Sequence, residues 1–410
     1  MWFQSGLNLA AVCLAAELAV TAHAAQPDGT PARVFLADAQ TLAASKAALK
    51  AGDVPLQSAL DQLLKDARGR LDQKPLSVMD KQQTPPSGDK HDYMSQAPYY
   101  WRDTNSPDGK YVRRDGQRNP ESKDDSDAGR LGNVCSSVHT LGLAYYFTGD
   151  EKYAAKATEL TRVFFLEPAT RMNPNLNYGQ GIPGETEGRP AGLISARGLA
   201  DFVDGIGLLA GSSSWTADDQ QKVTAWVADY FHWLTTSKIG LGEKAASNNH
   251  GTFYDVQAVT LALFLNETNY VRKELEAART SRIAKQIEPD GKMPRELART
   301  LSFNYSLFNL RAEMDLADLG RVAGVDLWHY QTPDGRSILK AAEFMAPYYD
   351  SNNKWPYQQI HKGNPAELGE LLRRVAVEHP ESQPVMAALK SVSGGKGSAT
   401  RLYVRQMAQP

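Results

Sequence analysis

What most constrains this chain is a run of amphipathic helical segments, joined in pairs by short turns, with almost no convincing strand between them. At Thr216-Ala217-Asp218-Asp219 a hydroxyl and a carboxylate stand where a helix start leaves backbone donors unpaired. Val223, Trp226, Val227, Tyr230 and Leu234 then recur at three- and four-residue steps, which is one buried helical face. Leu141 to Phe165 shows the repeating unit. A helix through Tyr145 stops at Thr148-Gly149-Asp150, and a second carries Tyr153, Ala157, Leu160 and Phe164. Gly149 provides the left-handed stop that an antiparallel pair needs. Further pairs fall at 191–210 with 216–235, 251–265 with 268–287, and 303–322 with 336–349. Stacked hairpins of this kind make a solenoid or a closed α/α toroid, and the absence of a fixed-period repeat weighs against the solenoid.

The chain has 410 residues, 42% of them apolar, which is ample for a large core. A formal net charge of −2 recruits neither nucleic acid nor an anionic membrane, so a polyanion would have to meet local clusters of Arg, Lys and His. Leu7 to Val20 is largely apolar and Ala22-His23-Ala24 has the small-x-small form of a cleavage site. Residues 1–24 therefore read as an export signal, although no Lys or Arg precedes the apolar run and Glu17 interrupts it. The mature protein is expected in the periplasm or outside the cell, with no membrane attachment after cleavage. Cys135 is then the one remaining cysteine. It sits in an apolar helix and reads as a buried thiol, and no internal disulfide is available. Residues 25–390 read as a single domain, and 391–410, with Gly394-Gly395-Lys396-Gly397, as a loose, dispensable tail. CxxC, HExxH and P-loop spacings are missing, so neither metal nor cofactor is expected. Long loops at 80–125, 167–190 and 288–300 are candidate functional segments, and three Pro-Asp-Gly triplets read as turns.

Chemistry concentrates at Ser247-Asn248-Asn249-His250 and, about fifty residues on, at Arg295 to Arg299 and Tyr305. The Asn-Asn-His element precedes an apolar helical run, placing amide and imidazole donors at a helix N-terminus, where an anion is favoured. A helix cap beside a core histidine is the plain alternative. Arg295 and Arg299 can bind a carboxylate bidentately. Tyr305 is a poor base at the ordinary phenol pKa of about 10 unless cations such as Arg299 or His250 lower it. A third region, Lys90, His91 and Tyr93 with Tyr99 and Trp101, combines cations with rings suited to sugar stacking. Tyr178, Gln180, Glu185 and Arg189 form a weaker fourth candidate.

Jointly these groups suit β-elimination on a uronic-acid polymer. Neutralising the carboxylate with Asn, His and Arg donors stabilises the enolate-like transition state at C5. A base then takes the C5 proton and an acid protonates the departing O4. Mannuronate and glucuronate carry these on one face, so a single Tyr can serve both steps. Guluronate needs a second group, for which His250 is the candidate.

At these residues the sequence resembles the alginate lyase family of polysaccharide lyases. Asn248-Asn249-His250, Glu296-Leu297-Ala298-Arg299 and Tyr305 carry the resemblance. His91-Asp92-Tyr93-Met94-Ser95 and Glu187-Gly188-Arg189-Pro190 look closer to a broader branch with glucuronan-active members. The resemblance spans roughly 80–360 and implies an all-α fold, an α/α toroid built as an incomplete barrel of antiparallel hairpins. It also implies that Asn249 and His250 neutralise the C5 carboxylate with help from Arg299, and that Tyr305 is base and acid. The implied substrate is poly-mannuronate or glucuronan; Lys90, His91, Tyr93, Tyr99, Trp101, Tyr178, Arg189, Asn248 and Arg295 are the expected binding residues. The Arg299-to-Tyr305 interval is a residue shorter than in mannuronate lyases, and Gly251-Thr252-Phe253 replaces their aromatic-rich run. Two alternatives differ in kind: a glycoside hydrolase using Asp92, Glu185 or Glu187 as paired carboxylates, and a polyuronide-binding protein without catalysis.

Overall fold

The computed structural model describes residues 32–123, 126–392 and 398–407; the expected export signal lies outside them. In chain order the helices are α1 (Ala39–Lys50), α2 (Val54–Leu71), α3 (Asp127–Thr148), α4 (Glu151–Thr161), α5 (Leu199–Gly207), α6 (Ala217–Thr236) and α7 (Lys238–Lys244). They continue with α8 (Asn249–Phe264), α9 (Thr268–Ala278), the short turns α10 (Ala284–Gln286) and α11 (Pro294–Leu297), α12 (Ser302–Ala323), α13 (Ile338–Met345), α14 (Pro365–Glu378) and α15 (Gln383–Ser391). Each expected hairpin is present. Gly149 is left-handed at φ 69° and closes α3, and Thr216 with Asp219 forms a reciprocal capping box at the start of α6.

The inner wall of the ring is made by α3, α5, α8, α12 and α14, each packed on the next. The helices α2, α4, α6, α9, α13 and α15 stand outside. Their sequences say why. Helix α8 is buried on nearly every face, as a helix enclosed by neighbours must be, whereas α9 buries one stripe of Val271, Glu274, Leu275 and Ala278. Past α9 the chain runs through a π-helical turn, Arg279–Ile283, which carries Arg282 inward. Its guanidinium clamps buried Asp255 at 2.7 and 3.0 Å and donates to the carbonyls of Ala246 and Lys244. The turn entering α8 is thereby fixed. Gly251 is required there, since a Cβ would collide with Ala246 O and the Arg282 guanidinium.

The ring is completed between α14 and α3 by a clasp from the C-terminus. On one side Met407 N donates to Arg373 O and Arg405 pairs with Glu378 of α14. On the other, Asp38 N donates to Tyr403 O, and Leu402 is buried with Leu42, Ala59 and Leu63 of α1 and α2. Tyr403 meets the His139 ring of α3 edge-on at 5.3 Å. The expectation of a loose, dispensable tail thus fails over 398–407, because Leu402 and Tyr403 have an apolar and aromatic seat there.

Strands are few and sit at the rim. A parallel pair, β1 (Met94–Gln96) and β4 (Tyr178–Gly181), ties the loops of 80–125 and 167–190 together, while β2 (Tyr100–Arg102) and β3 (Tyr111–Arg113) form a hairpin. The glycines of the three Pro-Asp-Gly triplets, Gly109, Gly291 and Gly335, all have positive φ, as turns require. Cys135 is buried, and burial raises its thiol pKa.

Candidate functional site

A cavity of about 980 Å³ opens at the N-terminal ends of the inner helices. Its wall is drawn from the start of α3 (Ala128, Gly129, Gly132), the approach to α5 (Ser195, Arg197, Gly198, Asp201), α8 (Asn249, His250), α12 (Asn304, Tyr305, Phe308) and α14 (Glu367). Ser95, Gln96, Tyr99 and Gln180 cover it from β1 and β4, and Arg118, Lys123, His361 and Lys362 stand along the wall and rim. Several helix N-termini converge on this space, and their partial positive charge favours an anion.

Asn249 opens α8. Its backbone N donates to Glu296 Oε1 and its Nδ2 to Glu296 Oε2, both at 2.7 Å. Asn248, the N-cap, makes no side-chain cap; a carboxylate from α11 satisfies the helix end instead. Burial raises the Glu296 pKa, against the pull of the Asn249 donors. Asn249 is 1% exposed, and its Oδ1 has no partner, an unmet acceptor on the cavity wall.

His250 Nδ1 lies 2.6 Å from Glu243 Oε1 on α7. A carboxylate only accepts, so Nδ1 carries the proton and, in the neutral ring, Nε2 is the free acceptor. Glu243 is 3% exposed.

Tyr305, in the first turn of α12, has its hydroxyl 2.7 Å from that of Tyr99. The Arg299 guanidinium lies 3.6 Å from the centroid of the Tyr305 ring. Arg299 is committed to Asp115, with Nη2 at 2.7 Å and Nε at 3.1 Å, and it does not line the cavity. Sequence reasoning cast it as a direct carboxylate ligand; the structure puts it beneath the tyrosine. Burial of Asp115 acts to raise its pKa, but the Arg299 hydrogen bonds, the Thr300 N–H and the charges of Arg299 and Arg113 outweigh it and bring it to about 2. For Tyr305 burial is the larger effect: its pKa is raised well above that of a free phenol, Arg299 pulls it down in part, and Tyr99 pushes it up. The expected lowering by cations does not outweigh desolvation.

Of the predicted residues, Asn249, His250, Tyr305 and Tyr99 share the cavity wall. The others stand elsewhere. Lys90 lends its carbonyl to Lys81, and His91 Nδ1 bonds Arg171 O at 2.6 Å. Tyr93 is fully buried core, and burial pushes its phenol up to about 12. Trp101 donates to Gln117 O under Arg114. Tyr178 pairs with Met94 in the parallel strands, Asn248 stays in the backbone network before α8, and Arg295 is exposed on α11. Arg189 acts at one remove. It donates to the carbonyl of Gln180 at 3.2 Å and to its side-chain oxygen at 2.7 Å, while Gln180 N donates to Ser95 Oγ. Gln180 lines the cavity with φ at +50°, a costly conformation for a residue with a side chain.

Glu243, Glu296 and Asp115, which hold His250, Asn249 and Arg299, had no assigned role in the sequence reading, nor did Arg197 and Asp201. Glu296 was visible only as a motif letter beside Arg299, and Glu243 gave no signal, since the turn before α8 brings it back to His250. Among the described residues, no group of three or more His, Cys, Asp or Glu is placed to hold a metal ion, and no helix is long and apolar enough to cross a membrane.

The alginate lyase family model matches residues 77–355. An alginate lyase from Bacteroides ovatus, known from its crystal structure, is 39% identical, with a TM-score of 0.86 over 90% of this chain and 98% of that one. Alginate lyase A1-III from Sphingomonas species A1 is 15% identical with a TM-score of 0.53 over 93% of this chain and 100% of its own, a likeness of fold. A variant of A1-III complexed with a tetrasaccharide superposes at a TM-score of 0.55, also at 15% identity, over 93% of this chain and 99% of that one. No curated protein sequence matches the chain. With the ring, the cavity and the paired motifs on one chain, the protein belongs to the alginate lyase family and is a polysaccharide lyase.

Proposed function

We propose that this lyase cleaves a 1,4-linked polyuronate, of poly-mannuronate or glucuronan type, by β-elimination. The observation that carries the reading is the meeting of Asn249, His250 and Tyr305 on one cavity wall, with Tyr305 hydrogen-bonded to Tyr99. The sugar carboxylate lies at the head of α8, where the helix dipole favours an anion, and takes the second N–H of Asn249 Nδ2 and the Nε2 proton of His250 in its doubly protonated form, with Glu243 behind the ring. Tyr305 acts here from its phenolate form: the C5–H bond breaks, its proton passes to the phenolate oxygen, the electron pair forms the C4–C5 double bond, and the C4–O bond opens. Tyr305 returns the proton to the departing O4. Arg299 beneath the ring stabilises the phenolate, at a position fixed by Asp115. The tetrasaccharide held by the A1-III variant supports an oligosaccharide in this cavity.

The contact between Glu243 and His250 favours a second assignment within the same reaction. With Nε2 left as an acceptor, His250 takes the C5 proton and Tyr305, whose raised pKa keeps it protonated, supplies the proton to O4. This version suits substrates with proton and leaving group on opposite faces.

The test is the ultraviolet absorbance of the unsaturated uronate product, followed on poly-mannuronate, glucuronan and poly-guluronate for wild type and Tyr305→Phe. Tyr305→Phe is expected to lower kcat by roughly 10²–10⁴-fold with binding retained. Full activity in that variant removes Tyr305 from the mechanism, and cleavage without absorbance replaces the lyase with a hydrolase. Export of the protein, read from residues 1–24, places it with such a polymer outside the cytoplasm; N-terminal sequencing of the mature protein checks this.

A further inference from the structure

In the run Tyr178-Gly179-Gln180-Gly181 the one residue with a left-handed backbone is not a glycine. The flanking glycines are there for space: a Cβ on Gly179 would press on Gly192, and one on Gly181 would strike Glu187 O. Gln180 has φ at +50°, which glycine adopts at less cost. A side chain kept at such a position points to a use beyond making the turn. The strand pairing aims it. Gly179 and Gln180 of β4 stand opposite the single Ser95 of β1, a bulge between the pairs Met94–Tyr178 and Gln96–Gly181. Bulges beside binding sites re-aim side chains. Gln180 N donates to Ser95 Oγ at 2.9 Å, and both residues line the cavity.

Arg189 decides which end of the amide faces that space. Its backbone N donates to Gly179 O at 3.0 Å, its Nε to Gln180 O at 3.2 Å and its Nη2 to Gln180 Oε1 at 2.7 Å. A guanidinium only donates, so the atom it meets is the amide oxygen, and Nε2 is the other end. Nε2 has no partner among the described residues, and it is not sealed from solvent as Asn249 Oδ1 is. Gln180 is 7% exposed, and that opening presents its NH₂ group to the cavity. The Tyr100 ring lies under the guanidinium, 5.1 Å to its centroid. Arg189 forms no ion pair among the described residues; Glu243 and Glu185 act on it only at a distance, and Glu243 is bonded to His250. A cation on Oε1 draws electron density through the amide and strengthens Nε2 as a donor. Such a donor suits an anionic oxygen best.

We propose that Gln180 is a substrate-binding residue: its Nε2 donates to a carboxylate oxygen of the uronate held in the cavity, and Arg189 behind it supplies charge that Arg299, bound to Asp115, does not bring there. The proposal rests on the polyuronate reading of the site.

The test compares wild type with Gln180→Glu and Gln180→Gly on poly-mannuronate and glucuronan, reading product absorbance for kcat/KM and thermal unfolding for the fold. Glutamate keeps an oxygen for Arg189 and turns that hydrogen bond into an ion pair, but it replaces the free donor with a negative oxygen. The unfolding midpoint should hold or rise while kcat/KM falls at least about tenfold. Glycine relaxes the backbone and removes the donor without adding charge, and kcat/KM should fall roughly tenfold to a hundredfold. If the glutamate variant does not fold, the glycine variant decides alone. Unchanged kcat/KM in either folded variant overturns the proposal; in Gln180→Glu it would mean that the partner is a hydroxyl or that Gln180 only braces Arg189. No absorbing product from wild type on either polymer removes the polyuronate reading and this contact with it. Turnover by wild type with unaffected variants removes Gln180 alone.

Discussion

His250 and Tyr305 face one cavity with opposite supports, a carboxylate behind the first and a guanidinium beneath the second. Each support can be removed with little change of shape. Glu243→Leu removes the acceptor with little change of volume, so His250 Nδ1 loses the partner that holds its proton and the neutral ring is free to carry it on Nε2. We expect kcat to fall at least tenfold, with the tautomer change visible in the ¹⁵N shifts of the His250 ring; unchanged shifts would remove the positioning role. Asp115→Asn frees Arg299 and affects stability with a definite sign. A carboxylate held at about 2 in the fold stabilises it above the unfolded value of 3.8, and that stability is lost as pH falls through about 2. The variant should lose about 2 kcal/mol near neutrality, and the difference from wild type should shrink as unfolding midpoints are taken to lower pH. At this scale Asn249, His250 and Tyr305 were legible because their side chains have few other reasons to cluster. The supports were not. Whether Arg295 or Glu296 faces inward is decided by the few residues of α11, and no periodicity can be read over so short a helix.

Among the elements, the helices that carry the site were predicted in their pairs because apolar spacing and cap residues agree, as at Thr216 and Gly149. The rim strands were missed. Met94–Gln96 and Tyr178–Gly181 are too short to show alternation and find each other only across the fold. The π-helical turn after α9 was equally hidden, yet it delivers Arg282 to Asp255. Beside that pair, on α12, Glu313 is fully buried with Oε1 unpartnered, and burial brings its pKa to about 8. The sign here is opposite to that of Asp115. The folded state holds the proton between about 4.5 and 8, so stability declines as pH rises through that window. Glu313→Gln should flatten the decline and be the more stable protein at pH 8 by a few kcal/mol. Chemical denaturation of both proteins at pH 5 and pH 8 measures it, and equal slopes would show that Glu313 is not held protonated.

At the scale of the molecule, the toroid was foreseen as an incomplete barrel of helical hairpins, and the C-terminal segment that bridges α14 and α3 was not foreseen. Residues 391–410 have the glycines and polar residues of a free end, and nothing local shows that Leu402 meets Leu42, Ala59 and Leu63. Leu402→Ala should cost about 2–4 kcal/mol, and a loss within a few tenths of a kcal/mol would show that the clasp contributes little. The bond from Asp38 to Tyr403 also joins opposite ends of the described chain, so it can form only after the helices between them have found their places. Contacts of such long sequence separation form slowly. Refolding should therefore regain helical circular dichroism first and turnover later, the interval marking a population of rings still open between α14 and α3.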